Sequence, residues 1–561
     1  MKEPVNPPLI NVHTHIFTRK HVPNHLGKRL IPWPFYLIST AFIIKTFRFF
    51  SRNEQWLKMV NLWKRVNYNI SYLRYYYLFF RVMFSLMGLA GFLLAMVALG
   101  HLIMKTGMVQ ALEPMQRELD RVLTLPLLRN TWFQIGFVFM AFLFFKWFRK
   151  FVLLLLRRVI TINEHTKSYL NRLLHMGSFA SMDKQQDLFV QLIKLYPKNT
   201  QFVVLSMDME YMDAGKVPSS YKQQLAELLA VSKNAKGQLL PFICVDPRRI
   251  MEEENFLQEV KDHLQDGFYG IKLYPALGFY PFDIRLLPLY AYAQTYQIPI
   301  MTHCVRGTIH YRGKKEKHWN EHPVFSCQHQ EEVRIPLPDF SSFDFTANFT
   351  HPLNYECLLD PQLFHRLFQY FNSPFYPYKE RDDIRIREVN SLFGYDPETD
   401  KPPLKNLQKL KICLAHFGGE TEWQRYFDKD RGSLDNKYLN NPLCQISVNT
   451  STEEVLWSKS SWYTIIRNLL VKYEHVYADI SYTLTDNRTF PLLEDMLKTD
   501  YLKEKVLFGT DYYVVRQEES EKQLLTELMA YLEEGEFRQL SLTNNQAYLE
   551  RSWDKKKEPI S

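Results

Sequence analysis

The chain has 561 residues, is 46% hydrophobic, and carries a formal net charge of +9 at neutral pH. A chain of that length and apolar content can bury a large core, which excludes the class of small disulfide-stapled proteins. The six cysteines are scattered without a CxxC pair, so we expect reduced thiols rather than a disulfide framework.

The charge is unevenly distributed along the chain. Between Thr18 and Ile160 there are 21 Lys and Arg against four Asp and Glu, a net charge of +17, and the remainder carries −8. Basic segments often bind nucleic acid, but long apolar runs interrupt this one. That combination indicates a membrane as the partner and argues against nucleic acid.

The first predicted element is a β-strand within residues 1–17 that contains the sequence NVHTHIF. Alternate residues of a strand project from the same face, so His13 and His15 would lie side by side. Paired imidazoles in that geometry suit a metal ion. A polar turn is the alternative that an isolated HxH leaves open.

Residues 18–165 are predicted to form a membrane-associated insertion with two transmembrane helices. Residues 82–104 contain no Asp, Glu, Lys or Arg over 23 positions, which is enough to cross a bilayer. A buried helix is the alternative for that segment. Residues 130–148 form the second candidate and end in an aromatic and basic belt. Flanking positive charges place both ends of this hairpin, and the rest of the chain, in the cytoplasm.

Residues 166–561 alternate short apolar runs with longer amphipathic ones, the pattern of repeated βα units. Seven such runs and the first strand make eight strands, the number that closes a TIM (β/α)8 barrel with the hairpin inserted between strands one and two. Polar residues fall late in these strands, where such barrels place their active sites. The seven runs are residues 202–209, 239–247, 270–275, 298–305, 411–419, 476–481 and 506–513.

Four elements in order resemble the amidohydrolase superfamily: HxH in strand one, MTHC in strand five, LAHFGG in strand six and FGTDYY in strand eight. More narrowly, the chain resembles the amidohydrolase-related group that includes aminocarboxymuconate semialdehyde decarboxylase. The resemblance covers residues 9–17 and about 200–551, and it departs from the family in the long segment after strand one. It implies a TIM barrel with a metal-dependent active site.

The resemblance also implies roles for the polar residues. His13, His15, His303 and Asp511 would bind Zn²⁺ or another divalent metal such as Mn²⁺ or Fe²⁺. A metal-activated water would be the nucleophile, and Asp511 would pass its proton to the leaving group. His416 would polarise the substrate or stabilise developing charge, with ligation of a second metal as the alternative.

Three further residues near the strand ends are candidates for substrate contact. Lys272 lies where some superfamily members carry a carbamylated lysine that bridges two metals; binding substrate or packing in the barrel is the alternative. Arg306 and Tyr274 lie just beyond strand ends and would contact an anionic or carbonyl substrate, unless they are ordinary surface residues.

The connection at about residues 306–410 is long for one βα loop, and we interpret it as a lid that determines the substrate. The leading hypothesis is a membrane-anchored, metal-dependent hydrolase of an amide, ester or lactone bond in a small molecule. That substrate would be lipid-soluble if the barrel mouth lies near a bilayer. A non-oxidative decarboxylase with the same ligands is the nearest alternative, and an inactive membrane scaffold is the third. The sequence leaves the oligomeric state open.

Overall fold

A computed structural model of the chain describes the predicted barrel and the segments that pack around it. All described residues belong to one compact unit. They are residues 9–23, 184–307, 309–327, 330–337, 342–430, 457–458, 460–484, 487–512 and 521–552.

Eight parallel strands form a nearly closed barrel, as the sequence predicts. They are β1 (Ile10–Thr14), β2 (Gln201–Leu205), β3 (Leu239–Cys244), β4 (Gly270–Leu273), β5 (Ile300–Val305), β8 (Ile412–Gly418), β9 (Val476–Asp479) and β10 (Val506–Leu507). Neighbours in this order are hydrogen-bonded to each other. Thr14 also pairs in parallel with Tyr512, and the His15 N–H donates to the Tyr512 carbonyl at 3.2 Å. This second contact of β1 closes the ring, which is the architecture of a TIM barrel.

Helices alternate with the barrel strands, and most of them bury apolar side chains. They are α1 (Gln185–Ile193), α2 (Tyr221–Asn234), α3 (Pro247–Glu252), α4 (Phe256–Asp266), α5 (Leu287–Tyr296), α6 (Ser342–Thr350), α7 (Glu356–Leu359), α8 (Pro361–Asn372), α9 (Lys379–Phe393), α10 (Glu420–Arg425), α11 (Trp462–Lys472), α12 (Phe490–Lys498), α13 (Glu521–Tyr531), α14 (Glu534–Arg538) and α15 (Asn544–Leu549). Local sequence explains why they begin where they do. In α2, for example, Ser220 and Gln223 form a capping box, in which each side chain accepts the other residue's backbone N–H.

The connection between β5 and β8 carries structure of its own. An antiparallel hairpin, β6 (Glu321–Cys327) with β7 (Gln330–Pro336), is followed by α6 to α9. Asp360 caps α8 by accepting the N–H groups of Gln362 and Leu363. The long segment predicted at about 306–410 therefore contains a hairpin and four helices outside the barrel sheet.

The predicted multi-pass membrane location is wrong for the part of the chain that the structure describes. No helix there is both long enough and apolar enough to span a bilayer. The longest, α9, has 15 residues, whereas a spanning helix needs about 20. The two segments expected to cross the membrane, residues 82–104 and 130–148, lie outside the described residues. The predicted limits of the insertion, residues 18–165, stay a prediction.

Candidate metal centre

The end of β1 and the segment after β10 bring three predicted ligands together. His13 and His15 are 0% and 5% exposed, and their ring centroids lie 5.4 Å apart. Asp511 Oδ1 lies 3.7 Å from His13 Nε2 and 3.4 Å from His15 Nε2. Residues at the end of the first barrel strand therefore lie next to an aspartate that follows the last strand.

β5 and β8 contribute the other two histidines. His303 Nδ1 lies 3.1 Å from His416 Nε2, and the His416 ring centroid is 4.6 Å from that of His13. All five predicted metal-site residues thus form one buried cluster, which we call the histidine cluster. His13, His15 and Asp511 form a triad whose ligand atoms lie within 4.8 Å of one another, and His13 and His416 form a second such triad with Asp479, which is not one of the five.

Hydrogen bonds on the far side of the β1 imidazoles fix which nitrogen carries the proton. His13 Nδ1 lies 2.9 Å from Asp479 Oδ2, and His15 Nδ1 lies 3.0 Å from the Leu205 carbonyl oxygen. Because a carboxylate and a carbonyl only accept, each Nδ1–H donates, and both Nε2 atoms keep a lone pair. Metal-ligating histidines are oriented by a second hydrogen bond of this kind.

The same reasoning fixes the tautomers of the other pair. His416 Nδ1 lies 3.1 Å from the Ser481 carbonyl oxygen, so it donates there and His416 Nε2 is an acceptor. His303 Nδ1–H then donates to His416 Nε2. Consequently His303 Nε2 also presents a lone pair, whereas both nitrogens of His416 are engaged with protein groups.

The donor set fits a divalent metal ion. Desolvation by burial lowers the pKa of His15 to about 3 and holds the pKa values of His13 and His303 well below the ordinary value, so all three imidazoles are neutral at pH 7. His13 Nε2 and His303 Nε2 are buried and have no hydrogen-bond partner among the described residues. Buried polar atoms normally have one. Three neutral nitrogens and the Asp511 carboxylate are a ligand set that Zn²⁺ accepts.

His303 lies beside a glycine and is stacked against a tyrosine. A Cβ added to Gly307 would lie 3.0 Å from His303 Nε2, so only a glycine leaves this side of the ring clear. The Tyr274 ring stacks on the imidazole with centroids 4.2 Å apart, and its hydroxyl donates to the Ile309 carbonyl at 3.2 Å. The structure therefore places Tyr274, a predicted substrate contact, against a predicted ligand.

The two remaining candidates for substrate contact differ in their burial. Lys272 is 0% exposed, and within the described part of the chain its Nζ has no hydrogen-bond partner. Burial lowers its pKa, although the charges of Asp479 and Asp511 oppose that shift. Arg306, in contrast, is exposed, and its guanidinium lies 5.4 Å from the centre of the Trp462 ring.

Sequence reasoning missed Asp479 and Ser481. Asp479 is the last residue of β9, and its Oδ1 accepts the backbone N–H groups of His416 at 3.1 Å and Ser481 at 3.0 Å. The Ser481 Oγ lies 3.1 Å from His13 Nδ1 and 2.9 Å from His416 Nδ1. The signal that could have found Asp479 is its place at the end of a predicted barrel strand, where active-site residues occur.

Backbone strain is concentrated at this cluster. His416, Phe417 and Asp511 adopt φ values of 70°, 43° and 55°, in the left-handed region that side chains disfavour. Gly419 continues the turn after β8 at φ 85°, and a Cβ there would lie 2.4 Å from Val305 Cγ2. Strained backbone of this kind is typical of functional sites.

Comparison with known proteins does not identify a family for the chain. No family model matches the chain, and no curated protein matches it. Solved structures that match include 2,6-dihydroxybenzoate decarboxylase from Rhizobium, which is 13% identical, with 65% of this chain and 88% of that chain covered and a TM-score of 0.34. 5-Carboxyvanillate decarboxylase from Sphingomonas paucimobilis is 9% identical. The match covers 67% of this chain and 84% of that chain, with a TM-score of 0.33. An amidohydrolase from Mycobacterium avium subsp. paratuberculosis is 13% identical, with coverages of 65% and 74% and a TM-score of 0.30. The evidence on function therefore lies in the residues of the histidine cluster.

Proposed function

We propose that the chain is a metal-dependent hydrolase that acts on an amide, ester or lactone bond. One observation carries the proposal: the Nε2 atoms of His13 and His15 and the Asp511 carboxylate converge in a buried cluster that also contains the neutral His303 imidazole. A metal bound there would supply Lewis-acid chemistry, acidifying a water molecule and polarising the scissile carbonyl. Zn²⁺ suits the donor set best, with Mn²⁺ and Fe²⁺ as alternatives.

Asp511 is the residue that we propose holds and moves the proton. Its Oδ1 faces the Nε2 atoms of His13 and His15 at 3.7 Å and 3.4 Å. A carboxylate in this position takes a proton from the attacking water and returns it to the leaving group. Asp511 thus serves as both ligand and general base.

We assign His416 a positioning role. Its Nδ1–H donates to the Ser481 carbonyl and its Nε2 accepts from His303, so it orients His303 instead of meeting the substrate. A second metal on the triad that contains Asp479 is disfavoured for a related reason. Asp479 already accepts the His13 Nδ1–H, and binding a cation there would break that bond.

A non-oxidative decarboxylase is the second candidate, and buried Lys272 is the observation that favours it. An ammonium group beside the cluster would hold a substrate carboxylate. Cleavage of the C–C bond releases CO₂ and needs a proton at the carbon left behind, which protonated Asp511 would deliver. A carbamate on Lys272 would instead add a metal ligand and favour hydrolysis.

We also propose that the segment at about 306–410 determines which small molecule enters. Supporting this, the Thr350 hydroxyl in α6 donates to the Val305 carbonyl at 3.4 Å, so the segment contacts the end of β5. Long connections at this end of a TIM barrel commonly shape the substrate site.

Metal analysis combined with product analysis tests these proposals on the purified full chain. We expect one divalent ion per chain, lost in His13→Ala and kept in His365→Ala, a control histidine that pairs with Asp400. Acyl products without CO₂ from a panel of amides, esters and lactones would support the hydrolase. CO₂ from a panel of carboxylates would support the decarboxylase. A chain that holds metal equally well without His13 would overturn both.

A further inference from the structure

The structure contains a cavity whose lining does not include the histidine cluster. Its volume is about 1000 Å³, the size of a small-molecule site. It is lined by α3, by the segment after β4, by the β6–β7 hairpin and by residues of α8 and α9. None of the lining residues belongs to the histidine cluster.

The walls of this cavity are flat and aromatic. The Tyr280 and Phe282 rings are stacked, with centroids 4.8 Å apart and planes 10° from parallel. The Arg381 guanidinium lies 4.1 Å from the centre of the Tyr378 ring. Phe375 also lines the cavity, although 85% of it is exposed. Stacked rings and guanidinium planes present the surfaces on which a planar molecule packs.

The arginines in the walls already have protein partners. Four arginines line the cavity, and three of them lie beside a carboxylate. These pairs are Arg248–Asp246 at 2.6 Å, Arg285–Asp283 at 2.6 Å and Arg381–Asp382 at 3.5 Å. The fourth arginine, Arg334, donates to the Val324 carbonyl, and the lining adds Glu316 and Glu321. A bound anion would therefore have to displace the existing partners of these arginines. A bound cation would be repelled by their positive charges.

We propose that this cavity binds a small planar aromatic molecule without net charge. Such a ring stacks between the aromatic and guanidinium faces and leaves every ion pair intact. It also covers part of Phe375, whose exposed apolar surface is costly in water. This site is separate from the proposed hydrolase centre, and neither proposal depends on the other.

Calorimetric titration of the full chain at pH 7 tests the proposal with three probes of similar shape. They are 2-naphthol, which is neutral, 2-naphthoate, and 2-naphthylmethylammonium. We expect saturable one-site binding of 2-naphthol that is about tenfold or more tighter than that of either ion. Absence of 2-naphthol binding, or equal affinity for all three probes, would overturn the proposal.

Substitutions test whether 2-naphthol binds in this cavity. Phe375→Ala should weaken 2-naphthol about tenfold, because stacking area is lost. Leu404→Ala removes a side chain that is also 85% exposed but lies outside the cavity, and it should change nothing. Glu321→Lys adds positive charge to the wall and should shift preference toward 2-naphthoate. If Phe375→Ala and Glu321→Lys both bind like the unmodified chain, the molecule binds elsewhere and the proposal fails.

Discussion

Asp479 connects two residues of the histidine cluster through one carboxylate. Its Oδ2 accepts from His13 Nδ1, while its Oδ1 accepts the backbone N–H of His416 in the strained last part of β8, just before the turn at Gly419. The residue is completely buried, so water does not compete for these bonds. Asp479 is therefore a positioning residue that sets the His13 tautomer and anchors the turn.

We expect Asp479→Asn to lower metal affinity by about 10- to 100-fold while the barrel stays folded. The amide oxygen can still accept the backbone N–H groups, but the amide nitrogen then faces His13 and drives the proton to Nε2. Competition with a chromogenic chelator measures the change. Asp208→Asn is the matched control, since Asp208 is a buried aspartate that pairs with Arg249 outside the cluster. Unchanged affinity in Asp479→Asn would contradict the assignment.

Gly307→Ala should reduce metal occupancy and activity with little change in global stability. The new Cβ would lie 3.0 Å from His303 Nε2, where the metal is expected. Gly535→Ala provides the control, because a Cβ there meets nothing within 4 Å. Metal content and circular dichroism of both variants make the comparison. Equal metal content in the two would show that the space beside His303 is not used.

At the scale of elements, a buried histidine holds the start of the β6–β7 hairpin. His322 Nδ1 accepts the N–H groups of Val324 at 3.1 Å and Phe325 at 2.9 Å, so its Nε2–H donates to Asn354 Oδ1. Only the neutral ring can make this set of bonds. Desolvation by burial accordingly lowers the pKa of His322 to about 3.

The hairpin should therefore lose stability as the pH falls. The unfolded chain protonates this histidine below about pH 6.5, whereas the folded hairpin resists protonation down to about pH 3. The free energy of unfolding of the hairpin is therefore largest above pH 6.5 and falls by up to about 1.4 kcal/mol per pH unit below that pH. Hydrogen exchange of residues 321–336, corrected for intrinsic rates, should show less protection at pH 5 than at pH 7. In His322→Gln this pH dependence should disappear; if it persists, another group is responsible.

At the scale of the whole molecule, the proposed metal would join strands from opposite ends of the sheet order. His13 lies on β1 and His15 directly after it, His303 lies on β5, and Asp511 lies beyond β10. A chelator should therefore lower the thermal unfolding temperature by about 5–10 °C, as expected for loss of a tightly bound ligand. Asp511→Asn, which removes a ligand, should show no such shift. A chelator effect of equal size in that variant would place the stabilising ion elsewhere.

Much of the barrel could be predicted because its signals are local. Strand alternation places His13 beside His15, and the alternation of apolar runs gives eight strands. The predicted last strand, residues 506–513, is longer than β10, which ends at Leu507; the left-handed φ of Asp511 would also interrupt an extended backbone. The role of Asp479 and the cavity could not be predicted, since both depend on side chains that meet only after distant segments pack.

The pairing of β1 has a consequence for how the protein is made. Residues near position 14 contact β2, which begins at residue 201, and Tyr512. During translation, the first strand must wait for nearly the entire polypeptide to leave the ribosome before both neighbours exist. Until then His13 and His15 lack Asp511 as a neighbour. A nascent chain, or one that is terminated prematurely, would therefore lack the complete histidine cluster.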